Sequence, residues 1–596
     1  MTLAPSLEYA VRLETCEERI ASFEKIHIRI GNIRLVLVSA IAVVGWWWLA
    51  RHAFLAWWIL LPVASFIAVG IYHSNVLRGQ ALAQRAVQFY RSGLARIEDR
   101  WEGLGQTGER FNDPHHVYAS DLDLFGKGSL FELLSTARTR MGEEMLAQWL
   151  LAPSGLDEIR ERQAAVNELR DRLDLREDLA VLGEESKVGV HPEALLKWAS
   201  APRQLSQIWI RSVAPLLALL AVACAIVWAV WGRATPFVVV VAIELLLTYS
   251  LRNQLGAIFE SAEHAFANLD LLTALLARLE REQFHAPRLQ VLMRELTSHR
   301  LAGSRAIARL RTIVQFIESR RNPLFRLLDA PLVYSVQVGF AAEAWRMANR
   351  SAVTVWLKAV GEIEALLSLA TYSYEHPADP FPEFVDADQP AIFHGEELGH
   401  PLISAAKCVR NNVYIGGPTR VLLVSGSNMS GKSTLLRAVG INTVLAMAGA
   451  PVRARRLQLT ALHVGASIRI NDSLHEGNSR FYAEITRLRQ SYDLAGRKPT
   501  LLFLLDELLQ GTNSIDRRIG AEGIVRAFVD SGAIGLISTH DLALTDIGLL
   551  APGSLRNVHF QDELENGRMK FDFTLREGVV TKSNGLELMR SIGLKV

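Results

Sequence analysis

Four long apolar runs constrain the fold of this chain more than any other feature of its sequence. They form two pairs with short breaks, Leu35 to Ala50 with Ala53 to Tyr72, and Ser212 to Gly232 with Ala234 to Leu251. A bilayer core about 30 Å thick needs about 20 apolar residues in a helix, and all four runs are near or within that length. They predict two transmembrane helical hairpins, at 33–79 and 206–252. The alternative is two pairs of buried core helices, which are usually shorter and show a polar face.

Basic residues around the runs predict the orientation of the hairpins. The turns hold only Arg51 and Arg233, whereas the outer ends are flanked by Lys25, Arg29, Arg34, Arg78, Arg85, Arg203, Arg211 and Arg252. By the positive-inside rule, both termini and the soluble parts lie in the cytoplasm. The sequence thus predicts a multi-pass protein of the inner or plasma membrane whose partner is the lipid bilayer. Glu244, the one acid within the runs, is expected either to face another helix or to be a functional intramembrane acid.

Length and charge exclude several classes of protein. At about 100–200 residues per domain, 596 residues indicate three or more units. Lys+Arg 64 against Asp+Glu 62 gives a net charge of +2, which argues against an overall polybasic nucleic-acid binder. Three widely spaced cysteines form neither a disulfide framework nor a zinc site. Two stretches are locally basic and remain candidates for DNA contact or for solvated helix faces: Arg300, Arg305, Arg309 and Arg311, and Arg320, Arg321 and Arg326.

The soluble remainder changes character at a proline-rich break from His376 to Pro390. Before the break, 1–32 predicts a cytosolic helix, and 80–205 and 253–378 predict two parts of a helical core with apolar spacing typical of helices. After it, residues 379–596 alternate short apolar runs with helical patterns. The candidate strands are NNVYIG, VLLVSG (Val421 to Gly426), LLFLLDE (Leu501 to Glu507) and AIGLISTH (Ala533 to His540). Such alternation is typical of a doubly wound α/β sheet.

A phosphate-binding motif follows the second of these strands. GSNMSGKST fits G-x-x-x-x-G-K-[ST] and comprises Gly426, Ser427, Asn428, Met429, Ser430, Gly431, Lys432, Ser433 and Thr434. The glycines allow the backbone to curl so that its N–H groups face phosphate oxygens at a helix N-terminus. Lys432 is expected to reach the β- and γ-phosphates and the Ser433 hydroxyl to bind Mg²⁺. The sequence therefore predicts a site for ATP with Mg²⁺.

Two carboxylates and a histidine follow the next strands. Asp506 and Glu507 end LLFLLDE, at the edge where doubly wound sheets bind ligands. Asp506 is expected to hold Mg²⁺ and Glu507 to polarise the attacking water. The alternative is that the two acids belong to a solvated turn, which the apolar run before them disfavours. His540 ends its strand in the same way and is expected to contact the γ-phosphate, the alternative being a structural histidine.

These segments resemble the MutS ATPases. GSNMSGKSTLLR is similar to that family's P-loop through Asn428 and Met429, DELLQGTNSIDR to the segment after its carboxylate pair, and STHDLAL to its Thr-His switch. In GASIRINDSLHEGNSRFYAEI, Ser479, Phe481 and Glu484 match the family's signature segment, whereas Arg480 replaces the usual threonine. Residues 122–153 resemble the start of the MutS core domain. The resemblance predicts an ABC-like α/β P-loop ATPase domain that follows an all-α MutS core, and the apolar runs add two transmembrane hairpins.

The resemblance also implies partners and a mechanism. A homodimer would bind each ATP at one subunit's Lys432 and cap it with the other subunit's Ser479, and hydrolysis would reopen the pair. Residues before 120 hold a short lead and a hairpin where the family carries its mismatch-reading domain, so kinship alone supports DNA binding and mismatch repair. Two alternatives remain: an ABC-like transporter or other mechanochemical ATPase at the membrane, and a non-catalytic scaffold, which the intact Lys432, Ser433, Asp506 and Glu507 disfavour.

Overall fold

The chain divides into two compact units. A computed structural model describes residues 4–51, 57–182, 192–205, 207, 209–265, 269–297, 301–320, 322–386, 388–427, 429–469, 480–510, 512–540, 553–565 and 568–580. Unit 1 comprises Met1–Thr136, Leu146–Val181 and Leu366–Val596, and unit 2 comprises Ala137–Met145 and Leu182–Ala365. Each unit therefore contains one of the two apolar hairpins.

Unit 1 begins with two long helices that pack along each other, α1 (Pro5–Arg51) and α2 (Trp57–Ile97). The predicted N-terminal helix and the first apolar run are one continuous helix, because no proline or capping sequence interrupts α1 between them. Near its start, Tyr9 is buried against Phe89 and Tyr90 of α2. Further along the chain come α3 (Leu130–Leu134), α4 (Arg140–Leu151), α5 (Leu156–Arg170) and α6 (Leu173–Leu182), of which the start of α4, up to Met145, belongs to unit 2.

Unit 2 is helical throughout the part that the structure describes. Its elements are α7 (Pro192–Ser200), α8 (Ile210–Trp231), α9 (Thr235–Ala265), α10 (Leu269–Leu279), α11 (Pro287–Thr297), α12 (Gly303–Ser319), α13 (Pro323–Leu332) and the first part of α14 (Tyr334–Glu375). Helices α8 and α9 form the second apolar hairpin, and α13 packs against both. Glu244 on α9 is fully buried, and neither of its carboxylate oxygens has a hydrogen-bond partner among the described residues.

Among the residues that the structure describes, four helices are long and apolar enough to cross a membrane. The segments are Pro5–Trp47, Leu60–Ile97, Ile210–Trp231 and Thr235–Ala262. In their most apolar windows only 6%, 6%, 17% and 17% of the residues are buried within the chain. Leucine, valine and tryptophan side chains such as Leu35, Trp46, Leu219 and Leu246 are more than half exposed. A soluble protein rarely exposes so large an apolar surface, and buried core helices, the alternative interpretation, would not expose it either.

The start of α4 crosses α14 closely within unit 2. A Cβ atom added to Gly361 would lie 2.8 Å from the Met141 carbonyl oxygen, and one added to Gly142 would lie 2.6 Å from a Glu364 carboxylate oxygen. Glu364 accepts hydrogen bonds from the Arg138 amide at 3.1 Å and from the Thr139 hydroxyl. Burial raises the pKa of Glu364 to about 7, although these hydrogen bonds oppose that effect. The Thr-x-Met-Gly sequence at 139–142 is thus explained by close helix packing.

The α/β part of unit 1 contains two sheets. Its strands are β1 (Glu383–Phe384), β2 (Ile392–Leu398), β3 (Asn411–Gly416), β4 (Val421–Ser425), β5 (Arg456–Leu459), β6 (Leu462–Ser467), β7 (Thr500–Asp506), β8 (Ile534–Thr539), β9 (Leu555–Glu565) and β10 (Arg568–Glu577). The larger sheet has the order β10-β9-β4-β8-β7-β6, and only β10 runs antiparallel to its neighbour. The smaller sheet has the order β1-β5-β2-β3. The predicted strand NNVYIG is β3 and pairs antiparallel with β2, outside the parallel sheet.

In the described part of the chain, the larger sheet is accompanied by the helices α15 (Lys432–Ala448), α16 (Arg480–Leu494) and α17 (Ser514–Asp530). All five residues of β4 are buried, and so are most residues of β7 and β8, as expected for parallel strands covered on both faces. Helix α15 follows β4 directly and packs against β6, β7 and β8. The turn between β4 and α15 therefore lies at the carboxyl end of a buried central strand.

Two helical glycines provide a matched test of this packing. A Cβ added to Gly440 of α15 would lie 2.6 Å from Leu122 and 2.8 Å from Leu504, whereas one added to Gly523 of α17 meets nothing within 4 Å. We expect Gly440→Ala to lower the free energy of unfolding by about 1–3 kcal/mol through overpacking. Gly523→Ala should raise it by about 0.5–1 kcal/mol, since alanine favours the helix. Denaturant unfolding of both variants checks this, and equal effects would contradict the packing described.

Candidate nucleotide site

The turn after β4 has a backbone that requires glycine at two positions. Gly426 and Gly431 have φ angles of 152° and 105°, a region that L-residues rarely adopt. A Cβ at Gly426 would also lie 2.8 Å from the Ser430 hydroxyl and 3.2 Å from the Phe560 carbonyl oxygen. Met429, with a φ of 75°, is 83% exposed. The turn thus curls tightly around its own backbone and leads into the N-terminus of α15.

Lys432 is the first residue of α15 and is buried. Its ammonium group donates hydrogen bonds to the carbonyl oxygens of Gly426 at 2.9 Å and Ser427 at 2.8 Å. The Nζ atom also lies 3.9 Å from Oε1 of Glu507. Burial lowers the pKa of Lys432, while the charges of Glu507, Asp506 and Asp562 oppose that effect. The cation is held inside the turn, beside the end of β7.

Asp506 ends β7, and Glu507 follows it in the bend beyond the strand. Asp506 Oδ1 accepts a hydrogen bond from the Ser538 hydroxyl of the adjacent strand β8. Glu507 Oε1 lies 3.3 Å from Nδ1 of His540, and Glu507 Oε2 accepts a hydrogen bond from the Gln510 amide. The two carboxylates therefore have different neighbours, a hydroxyl for Asp506 and a histidine with an amide for Glu507.

The backbone after β7 adopts sparsely populated conformations. Glu507 and Leu509 have φ angles of 50° and 56°, which for residues other than glycine costs of order 1–3 kcal/mol each. The Glu507 amide donates to the Ser538 carbonyl oxygen at 3.2 Å, and the Leu509 amide donates to Glu484 Oε1 at 2.6 Å. Such strain is maintained only where the surroundings determine it, and it is concentrated at functional sites.

These residues line one cavity of about 360 Å³, a size typical of small-molecule sites. Seven of the predicted site residues line it: Met429, Gly431, Lys432, Ser433, Thr434, Asp506 and Glu507. Gly426, Ser427 and Ser430 belong to the turn that carries these residues. His540 is not a lining residue, but its Nδ1 atom lies 3.3 Å from Oε1 of Glu507, which is one. Asn428 and Ser479 lie outside the described residues, so the structure does not place them.

The cavity is also lined by four residues that the motifs did not identify as site residues. They are Ile468, Glu484, Gln510 and Phe573. Glu484 belongs to the signature-like segment, and Gln510 lies in the segment after the carboxylate pair, so both could have been found. Ile468 lies in the same segment as Glu484 but is not one of its matched positions, and nothing in the sequence singles out Phe573 of β10.

A backbone bulge in β10 places Phe573 at the cavity. The pairing of β9 with β10 shifts register between Phe571 and Leu575, and Phe573 has a φ of 54°. Asn411 of β3 holds the bulge, because its side-chain amide donates to the Phe573 carbonyl oxygen at 3.0 Å and accepts from the Leu575 amide at 2.7 Å. The phenyl ring is 41% exposed and would lie 3.2 Å from a Cβ at Gly431.

The donors and acceptors of the cavity fit a nucleotide phosphate with a divalent cation. The hydroxyl oxygens of Ser427 and Ser430 are buried, and neither has a hydrogen-bond partner among the described residues. Buried polar groups are normally paired, so these hydroxyls and the N-terminus of α15 can serve an anion. The Ser433 hydroxyl and the Asp506 carboxylate supply the oxygen ligands that Mg²⁺ prefers.

Two family models match the chain. Residues 422–595 match MutS domain V, and residues 116–215 match MutS domain III. The first match begins in β4 and includes the turn, both carboxylates and His540. The second includes the Thr-x-Met-Gly sequence and ends close to the start of α8.

Individual relatives agree with these matches. The chain is 32% identical over 238 residues to the DNA mismatch repair protein MutS of Geobacillus sp. (strain WCH70), which is 39% of this chain and 27% of the relative. It is 32% identical over 237 residues to that of Bacillus subtilis (strain 168), with the same shares of the two chains. It is 30% identical over 271 residues to the DNA mismatch repair protein MutS 2 of Halobacterium salinarum (strain ATCC 700922 / JCM 11081 / NRC-1), which is 44% of this chain and 30% of the relative.

The chain therefore spans less than a third of the length of these relatives. Matches in two separate domains, together with the cavity geometry at Lys432 and Asp506, confirm the predicted resemblance. Residues 116–215 and 422–595 thus resemble MutS domains III and V, and both matches support a relationship of the chain to the MutS family.

Proposed function

We propose that the chain is a membrane-anchored ATP hydrolase of the MutS type. The observation that carries the proposal is that Lys432, Asp506 and Glu507 meet at one cavity, with Lys432 and Glu507 3.9 Å apart. A cation at a helix N-terminus and two carboxylates at the adjacent strand end are the groups that phosphoryl transfer needs. The family relationship supports the same activity.

Each group of the cavity has a distinct role in this proposal. The amides after Gly426 and the N-terminus of α15 bind the phosphates, and Lys432 turns from the carbonyl oxygens of Gly426 and Ser427 toward them. Ser433 and Asp506 would hold Mg²⁺, which would neutralise charge on the phosphate oxygens. Phosphate oxygens of the nucleotide and water molecules would supply the other ligands that Mg²⁺ usually takes.

Glu507 is proposed as the base that orients the attacking water. Its Oε1 atom lies close to both Lys432 and His540, so the carboxylate faces the cavity. His540 is 45% exposed in its side chain and contacts the γ-phosphate in this proposal. The partner subunit of a homodimer would cap the nucleotide with the segment that contains Ser479.

Substitution of Lys432 and Glu507 tests hydrolysis directly. We expect Glu507→Gln to retain ATP binding and to lose at least about 100-fold in kcat, the usual contribution of a general base. Lys432→Ala should lose both binding and turnover, because the buried cation is removed. Steady-state phosphate release and equilibrium binding of a fluorescent ATP analogue provide the two measurements.

Lys407→Ala, an exposed lysine of the same unit, is the matched control and should behave as wild type. Full turnover in both site variants would assign hydrolysis to some other site.

We propose that the two hairpins span the inner or plasma membrane with both termini in the cytoplasm. The four apolar helices and their exposed side chains support this, as does the excess of basic residues at the outer ends of the hairpins. The hairpins make an ABC-like transporter the main alternative function. Glu244 is the one acid within the predicted spans, which leaves little polar lining for a substrate path.

Cysteine labelling tests the topology. In a background without Cys16, Cys224 and Cys408, Arg233→Cys lies in the exposed turn between α8 and α9. We expect a membrane-impermeant maleimide to label it in intact cells, because the turn lies outside the membrane. Lys407→Cys should be labelled only after permeabilisation. Equal labelling of both positions in intact cells, or of neither without permeabilisation, would contradict the proposed topology.

DNA binding is proposed from kinship and from one surface of α12. Arg305 and Arg309 are four residues apart on the exposed face of this helix, where they can contact neighbouring phosphates. Other arginines of the two basic stretches are engaged within unit 2, since Arg311 pairs with Asp270 and Arg320 lies 4.0 Å from the ring centre of Phe259. Arg300 and Arg321 lie outside the described residues.

The salt dependence of DNA binding tests this surface. If both arginines contact phosphates, Arg305→Glu with Arg309→Glu should weaken duplex binding and reduce the slope of log K against log salt by about 2. Fluorescence anisotropy of the protein in nanodiscs gives the slope. Arg281→Glu with Arg294→Glu, an equal change of exposed charge in unit 2, is the control. An unchanged slope in the α12 variant, or the absence of duplex binding by wild type, would refute this surface.

A further inference from the structure

Asp121 is a fully buried carboxylate that contacts three elements of the nucleotide site. It lies in an irregular segment of unit 1, before α3 and far from the P-loop in sequence. None of the sequence motifs includes it, and it does not line the cavity. Its hydrogen bonds nevertheless reach the end of β6, the helix α16 and the helix α15.

The first contact supports the cavity wall directly. Asp121 Oδ1 accepts hydrogen bonds from the backbone amides of Ile468 at 2.8 Å and Arg469 at 2.6 Å. These two residues follow the last residue of β6, and Ile468 lines the cavity. The carboxylate thus fixes the backbone of one lining residue by satisfying amides that the sheet no longer pairs.

The second contact reaches α16. Asp121 Oδ2 accepts a charge-assisted hydrogen bond from the Arg487 guanidinium. Glu484 lies three residues earlier in the same helix, so the two side chains are neighbours on one face. Glu484 lines the cavity and accepts from the Leu509 amide at 2.6 Å, two residues after Glu507. Asp121 is therefore connected through α16 to the strained bend that carries the proposed base.

The third contact reaches the P-loop helix. The Asp121 carbonyl oxygen accepts from Nε of Arg437 at 3.0 Å, on α15 five residues after Lys432. Two more hydrogen bonds hold the surrounding segment in place: Arg487 donates to the Pro114 carbonyl oxygen at 3.1 Å, and the Ala466 amide donates to that of Val117 at 2.9 Å. Both sides of the cavity are thus attached to residues 114–121.

We propose that Asp121 is a positioning residue for ATP hydrolysis, which sets the wall formed by Ile468 and Glu484 relative to the P-loop helix. The inference rests on the proposed function, because it assigns Asp121 a role in that reaction. Asp121 has no atom at the cavity, so it acts through the positions of Ile468, Glu484 and the bend at Glu507. Its loss should therefore lower turnover more than nucleotide binding.

The test compares Asp121→Asn with wild-type full-length protein in nanodiscs. The amide keeps the size of the side chain but replaces one acceptor oxygen by a donor and removes the charge that pairs with Arg487. We expect kcat to fall about 10-fold or more, because small displacements of catalytic groups have large effects on rate. The Kd of the ATP analogue should change less than about 2-fold, and hydrogen exchange at the Ile468 and Arg469 amides should become faster.

Asp123→Asn is the matched control. Asp123 lies two residues away, pairs with Arg469 and lies 3.9 Å from Arg437, and its side chain is 30% exposed. It bonds neither of the two wall amides, so kcat should stay near the wild-type value. A double-mutant cycle with Glu484→Gln tests the route: if Asp121 acts through Glu484, the two effects on kcat are non-additive, whereas a general loss of stability would add to the effect of Glu484→Gln.

If Asp121→Asn does not fold, Arg487→Gln removes the α16 contact from the other side and should show the same split between kcat and Kd. If the wild type hydrolyses ATP and the folded Asp121→Asn variant has the same kcat, or if the effects in the cycle are additive, the role of Asp121 is refuted. The proposed hydrolysis would then still stand. Absence of turnover in the wild type would instead refute the proposed hydrolysis, and this role with it.

Discussion

The bend between Ser425 and Lys432 is the constraint on which the rest of the α/β part depends. A fully buried parallel strand ends there, and α15 begins within a few residues, so the backbone must turn sharply without losing the pairing of β4. Two glycines with positive φ make the turn possible. The turn directs the helix N-terminus and its unpaired amides at one point in front of the sheet.

The other groups of the cavity are placed by the sheet order. Strand β8 lies between β4 and β7 and is parallel to both, so the carboxyl ends of β7 and β8 bring Asp506, Glu507 and His540 to the edge where the turn after β4 lies. Pairing between strands thus determines which charges meet, and the Ser538 hydroxyl, from the strand next to Asp506, orients that carboxylate. Lys432 is held at this edge by hydrogen bonds to carbonyl oxygens of its own turn.

The sequence predicted those parts of the site that are local. The P-loop and the carboxylate pair each follow a buried strand, so a short motif contains both the chemistry and the geometry. Phe573 and Ile468 could not be predicted in this way, because a β-bulge held by Asn411 and the end of an adjacent strand place them. Of the smaller sheet only β3 was predicted as a strand, because β1 and β5 are short and β5 pairs with β1 and β2, which lie far from it in sequence. The four apolar helices were predicted from composition, whereas the continuity of α1 became visible only in the structure.

The proposed ATP hydrolysis requires that the cavity at the bend bind a nucleotide with Mg²⁺. Isothermal titration calorimetry of the full-length protein with a non-hydrolysable ATP analogue and Mg²⁺ measures this binding. We expect saturable binding with one nucleotide per chain, weakened when Mg²⁺ is omitted. The absence of any binding heat from folded protein at several temperatures would contradict it.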